Sequence, residues 1–243
     1  TGPDPIQHYL GWELFRRSPV HLPYIGANYN AVYPFRTSVL FTDSLPLAAL
    51  FFKLLGGILP TRFQYFGWWG LLCYALQGGL AQAVIARIAG VQPTFGREDK
   101  SKAAIAIIMS PGQTAKLWGS VLGAGVLVLF PALTIRMFAH TALAANWLVL
   151  LALYLWLRSD ELMPTTRRAC LIWGGMGLLC AGIHLYYLPM VGLVLVGYAV
   201  RRALQKRGPA AVLAPIAAFC AAALAELVLL GAFAVDFAGP SNG

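Results

Sequence analysis

The sequence predicts an all-α fold, a polytopic transmembrane helical bundle. Of its 243 residues 59% are hydrophobic and only 11% charged, the mean hydropathy is +0.68, and apolar runs able to cross a hydrocarbon core of about 30 Å recur along most of its length. The formal charge of +9 does not point to nucleic acid. Its basic residues sit in short clusters between apolar runs, as they do at the cytoplasmic ends of membrane helices. Cys73, Cys170, Cys180 and Cys220 lie in or beside apolar segments without paired spacing, so neither a disulfide framework nor a cysteine zinc site is indicated.

Six segments are candidate spans: Phe63 to Gly90, Leu117 to Ile135, Thr141 to Leu157, Ala169 to Tyr187, Leu188 to Val200 and Ala210 to Ala234. Each approaches the roughly 20 residues that a crossing helix needs, except the fifth, which must extend into its flanks or tilt. Residues 63–243 are therefore read as a bundle of about six helices. The chain begins at Thr1 without the regions of a signal peptide and ends in "DFAGPSNG" after an apolar helix, so it is expected to be a piece of a longer protein, truncated at both ends.

Lysine and arginine set the orientation. The linker from Arg87 to Lys116, the stretch "RSDELMPTTRR" and the stretch "RRALQKR" are basic and are expected to face the cytoplasm. Two spans separate each consecutive pair, so "RMFAHTALAAN" and "HLYYLPM" emerge on the outer side, and Phe63 to Gly90 runs inward from Gln64 and Tyr65.

Residues 1–62 then form one long outer loop. "SLPLAALFFKLLGGILP" is apolar but short, with Lys53 at mid-length and prolines at both ends, which suits a helix lying on the membrane better than one crossing it. "PIQHYLGWELFRR" is a second surface helix. Ile6, Leu10 and Leu14 share one stripe, while Tyr9, Trp12 and Phe15 suit the headgroup region. The intervening "SPVHLPYIGANYNAVYPF" is rich in turn formers and aromatics and reads as an ordered loop over a site.

This topology gathers Asp4, Asp43, Gln64, Arg136, His140, His184 and Tyr186 on the outer side, although they come from four separate stretches. Half-buried polar groups at a membrane face need partners, a ligand or a wet cavity. Each residue also has a plainer reading. Asp4 before Pro5, and Asp43 before Ser44-Leu45-Pro46, are good N-cap positions; the two histidines at helix ends suit packing; Arg136 can snorkel to the interface. Glu98-Asp99 and Asp160-Glu161 lie beside basic residues and read as solvated, whereas Glu226 sits in an apolar helix and needs a partner there.

"GPDPIQHYLGWELFRRSP", "SVLFTDSLPLAALFFKLL", "LPTRFQYFGWW", "RMFAHTALAANWL" and "IHLYYLPM" together resemble a bacterial family of multi-spanning proteins within the GT-C glycosyltransferase superfamily, over nearly the whole chain. The resemblance implies a first spanning helix before Thr1, a long outer loop with a catalytic aspartate and two membrane-parallel helices, and then the bundle. It also implies a site facing the periplasm of a bacterial inner membrane. Two positions depart from the pattern. Asn146 stands where a histidine often precedes the tryptophan, and Leu185 where a proline is common.

The implied chemistry moves a sugar from a polyprenyl-phosphate-linked donor to a glycan, lipid or protein acceptor. A carboxylate takes the acceptor proton, and Asp4 is the candidate. Arg136, His140 and His184 would meet the charge of the departing phosphate. Asp43 would hold the acceptor, orient one of these cations, or join Asp4 in binding a divalent metal such as Mg or Mn. Gln64, Tyr65 and Tyr186 would bind sugar hydroxyls, with Tyr24, Tyr29 and Tyr33 as a stacking surface. The alternatives are a transporter or flippase of lipid-linked glycans, which would show helices broken at mid-membrane, and a structural module, in which these residues would scatter.

Overall fold

A computed structural model describes residues 4–29, 31, 35–91 and 111–235, the side chains of residues 4, 5 and 132 excepted. The helices run α1 (Asp4–Arg17), α2 (Pro46–Leu54), α3 (Phe66–Ile88), α4 (Pro111–Val128), α5 (Pro131–Ala139), α6 (Trp147–Leu157), a single turn α7 (Ser159–Leu162), α8 (Thr166–Ile183), α9 (Tyr187–Leu204) and α10 (Pro209–Leu229). Local chemistry sets several boundaries. Pro46, Pro131 and Pro209 open α2, α5 and α10, where a missing N–H is harmless. The Thr165 hydroxyl caps α8 by accepting from the Arg168 N–H, and the Gln64 side chain accepts from the Phe66 N–H at 2.8 Å at the start of α3.

Four helical stretches among the described residues are both long and apolar enough to cross a membrane: α3, α4 with α5, α9 and α10. The protein is thus a membrane protein, with four candidate crossings among the described residues where six were expected. Thr141–Leu157 is apolar but shorter, and α8 carries Arg167 and Arg168 in its first turn. The short fifth segment does extend, through Arg201 and Arg202 to Leu204. The predicted span Leu117 to Ile135 is broken instead of continuous. Pro131 cannot donate to α4, and it holds Phe130 extended at φ −61°, ψ 126°. The break follows the 18 residues of α4, about 27 Å of rise at 1.5 Å each.

The centre of the bundle is α8 against α10 and α9. Gly177 permits the close approach: a Cβ there would stand 2.4 Å from the Phe219 carbonyl oxygen, the small-residue contact by which membrane helices associate. Trp173, Cys180, Leu148 and Val191 are fully buried around it.

Segment 43–64 begins and ends at the same end of the bundle, beside the C-terminus of α8 and the N-terminus of α3. Its helix α2 has nine residues, about 13 Å long, less than half a hydrocarbon core. Lys53, the charge that marked this helix, donates to the Phe15 carbonyl at 2.8 Å and lies 3.9 Å above the Phe15 ring. Half-burial draws its ammonium down to about 8, but that carbonyl and ring both favour the charged form. Lys53 thus satisfies the last turn of α1 and locks the two short helices together.

The other end of the bundle is an ion-pair network. Glu161 accepts from Arg87 at 2.6 Å and from Arg158 at 2.5 Å. Asp160 accepts from Arg201 at 2.5 Å and Arg202 at 3.1 Å. Arg202, buried, also donates to the carbonyls of Ser159 and Met163 at 3.0 and 2.9 Å. The expectation that Asp160-Glu161 is merely solvated is corrected: both are half-exposed, and both are paired across helices. Glu98-Asp99 lies outside the described residues.

Candidate functional site

The site is built on a face of α1 that the Ile6, Leu10 and Leu14 stripe does not include. His8, Gly11, Trp12 and Phe15, spaced i, i+3, i+4 and i+7, are buried, while Ile6 and Leu10 are exposed. Trp12 and Phe15 are therefore core residues, not headgroup anchors. The Trp12 indole donates to the Phe63 carbonyl at 2.9 Å, and Arg16 reaches the carbonyl of Leu59 at 3.2 Å. The buried stripe was visible in the spacing, but the stronger apolar character of Ile6, Leu10 and Leu14 hid it, and His8 with it.

α1 presses on the loop that carries Asp43. A Cβ on Gly11 would stand 2.5 Å from the Thr42 Cβ and 2.6 Å from the Ser44 Oγ, so only glycine allows this contact. The Ser44 hydroxyl donates to the His8 carbonyl at 2.8 Å and accepts from the Thr42 hydroxyl at 2.9 Å. Tyr65 donates its hydroxyl to the Ser44 carbonyl. Burial pushes that phenol well above its usual range, which keeps it a donor.

Held in this way, the loop adopts a backbone that side chains normally avoid. Asp43 has φ 50° and Leu45, the residue before α2, has φ 54°. An aspartate tolerates the left-handed region, but for leucine it is a genuine outlier, kept only because its surroundings over-determine it. The N-cap reading of Asp43 falls here: the cap position of α2 is Leu45, with no side-chain bond.

Asp43 instead faces imidazoles. Its Oδ1 lies 3.1 Å from His184 Nε2 and its Oδ2 lies 3.6 Å from His8 Nε2. His184 Nδ1 accepts from the Tyr186 N–H at 3.2 Å, so in the neutral ring the proton sits on Nε2 and is donated to Asp43. The imidazoles of His184 and then His8, against the opposing pull of burial, hold the Asp43 carboxyl well below its ordinary value of 3.8. His140 ends α5 and joins from a third side: ligand atoms of His8, Asp43 and His140 all lie within 4.8 Å of one another.

Two cavities flank this cluster. One, of about 450 Å³, is lined by His8, Gln64, Phe66, Gly70, Met137 and Thr141, among others. The second, of about 370 Å³, lies beneath α2 and is almost wholly apolar, with Leu45, Phe51, Tyr65, Trp68, Leu72 and Leu179 in its walls. Gln64 and Phe66 face the first and Tyr65 the second, so the strand of chain entering α3 divides them.

Among the predicted site residues, the fold brings together Asp43, His140 and His184. It adds His8, which sequence reasoning missed. Tyr186 is 64% exposed and sets its ring 4.7 Å from that of His184, edge-on. Gln64 opens onto the larger cavity, whereas Tyr65 is buried and its hydroxyl is committed to Ser44. Arg136 donates to the Asn146 side chain at 3.1 Å, so the departure at position 146 still supplies a partner. The Asp4 side chain and Tyr33 lie outside the described residues; Asp4 opens α1 one turn before His8. Tyr29 stacks near His21, 4.3 Å between ring centres, and Tyr24 packs on Gly231.

The whole chain, residues 1–243, matches DUF6311, a domain of unknown function, and the protein belongs to that family. No curated protein and no solved structure matches it.

Proposed function

We propose that this protein is a membrane-embedded glycosyltransferase that takes a sugar from a polyprenyl-phosphate-linked donor at the end of the bundle bearing Asp43. The observation that carries the reading is convergence. Groups from α1, the 42–45 loop, α5 and the end of α8 meet at one point between two cavities, as reacting groups must. The apolar cavity beneath α2 suits the lipid chain, and the one bearing His8 and Gln64 suits the sugar.

Roles follow from the local electrostatics. A carboxylate held well below its usual range takes a proton poorly, so Asp43 is the orienting anion, not the base. Asp4 retains the base role. It removes the acceptor hydroxyl proton, the acceptor oxygen bonds to the anomeric carbon, and the bond from that carbon to the lipid phosphate breaks with its electron pair. His140 and Arg136 donate to the departing phosphate, while His184, with both ring nitrogens engaged by Asp43 and the Tyr186 N–H, holds the Asp43 carboxylate in place.

The test is incubation of the protein in vesicles with labelled polyprenyl-phosphate sugars. Transfer by the wild type that falls 10²-fold or more, by order of magnitude, in Asp4→Asn supports the assignment. Transfer that persists undiminished removes Asp4 as the base, and label that crosses the bilayer without being transferred supports the transporter instead.

A further inference from the structure

The histidine cluster has a geometry that the transfer reading does not require. We propose that His8, Asp43 and His140 bind one divalent transition-metal ion, with zinc as the natural occupant. This rests on the donor set and its placement, and it stands whether or not the substrate is a lipid-linked sugar.

Three donors, one from each of α1, the 42–45 loop and the end of α5, have ligand atoms within 4.8 Å of one another. Around a tetrahedral ion with bonds of about 2.0–2.1 Å, neighbouring donors stand about 3.3 Å apart. The 3.6 Å between His8 Nε2 and Asp43 Oδ2 already meets that spacing, and the widest separation needs to close by about 1.5 Å. Two imidazoles and one carboxylate form the three-ligand set of catalytic zinc and related ions, and leave the remaining position open. Mg would call for more oxygen donors.

A further observation fits this donor set. The Asp43 carboxylate is split in function: Oδ1 is taken by the His184 Nε2–H, while Oδ2 faces the Nε2 of His8, which is 2% exposed. A hydrogen bond to the non-ligating oxygen is the usual support of a carboxylate ligand. His184 is therefore a positioning residue. The open coordination position has access to the larger cavity, since His8 and Thr141, the neighbour of His140, both line it. A phosphate or hydroxyl oxygen from that cavity would complete the sphere.

The experiment uses the full chain purified in detergent, stripped with a chelator and titrated separately with Zn²⁺ and Mg²⁺. Bound metal per chain is counted by elemental analysis and the thermal midpoint is followed. One zinc ion per chain, with a midpoint that rises with zinc and not with magnesium, is expected. His140→Ala, at an exposed position, should retain the stripped protein's midpoint and lose both the ion and the rise. His8→Asn serves as the second ligand variant. His184→Ala should weaken zinc binding by about 10–100-fold, and His184→Gln, which keeps a donor, should recover part of it. Wild type that takes up no stoichiometric zinc, His140→Ala that retains it, or an equal response to magnesium overturns the site. Sugar transfer by a wild type that takes up no zinc would overturn this inference and leave the proposed transferase intact. Zinc binding without transfer would do the reverse.

Discussion

The two ends of the bundle handle charge in opposite ways. At the arginine end, Asp160 and Glu161 each meet two guanidinium groups, and Arg202 spends its remaining donors on backbone carbonyls. At the aspartate end, the Asp43 carboxylate stands among three imidazoles, on a loop with two left-handed residues, between two cavities. Ion pairs that close on themselves pin helices together. A cluster with strained backbone and open volume is set up to meet something else. The same chain thus separates the ion-pair network from the histidine cluster by about the 34 Å length of α3.

The largest effect should come from breaking the aspartate end. Asp43→Asn is expected to lower sugar transfer by about 10²–10⁴-fold, the range in which a positioned acid–base or orienting group contributes, with the far-ultraviolet circular dichroism of the protein unchanged. At the opposite end, removal of Arg202 should act on stability alone. Arg202→Ala takes the donor from the buried Met163 carbonyl, while the Ser159 carbonyl keeps the Met163 N–H, and should cost about 1–3 kcal/mol in denaturant unfolding, while the folded fraction turns over normally.

Gly11→Ala tests whether packing positions the chemistry. Its methyl would collide with Thr42, so a loss of about 1–3 kcal/mol is expected, accompanied by a fall in transfer that a packing change at the arginine end would not produce. A smaller effect is expected with pH. Because the Asp43 carboxyl titrates lower when folded than when unfolded, its contribution to stability is complete above about 3.8 and is lost as pH falls toward the folded value. Asp43→Asn should flatten that part of the acid unfolding profile. The smallest effect belongs to Glu161→Gln. Its exposed pairs should be worth less than about 1 kcal/mol, and transfer should be unaltered.

Much of the aspartate end was legible before the fold was known. Counting basic linkers placed His140, His184 and Gln64 on one side, and the shortness of α2 together with Lys53 returned Asp43 to that side. All of these are statements about the order of apolar and basic segments, which a bilayer reads directly. His8 escaped because the strongest apolar stripe of α1 faces outward, against the rule that serves helices of soluble proteins. In a membrane protein, outward-facing Ile6 and Leu10 have an apolar surrounding to face, so hydrophobicity alone does not tell the two faces apart.

The sequence by itself determined the class, most of the apolar helices and which helix ends lie together, because length, hydropathy and charge placement are local quantities. Only the tertiary structure decided that Gly11 lets α1 press on the 42–44 loop, that Asp43 points at imidazoles instead of capping α2, and that Asp160 and Glu161 are bound. Those outcomes depend on the approach of segments far apart in the chain, and such distances are set by packing rather than by any pattern within one segment.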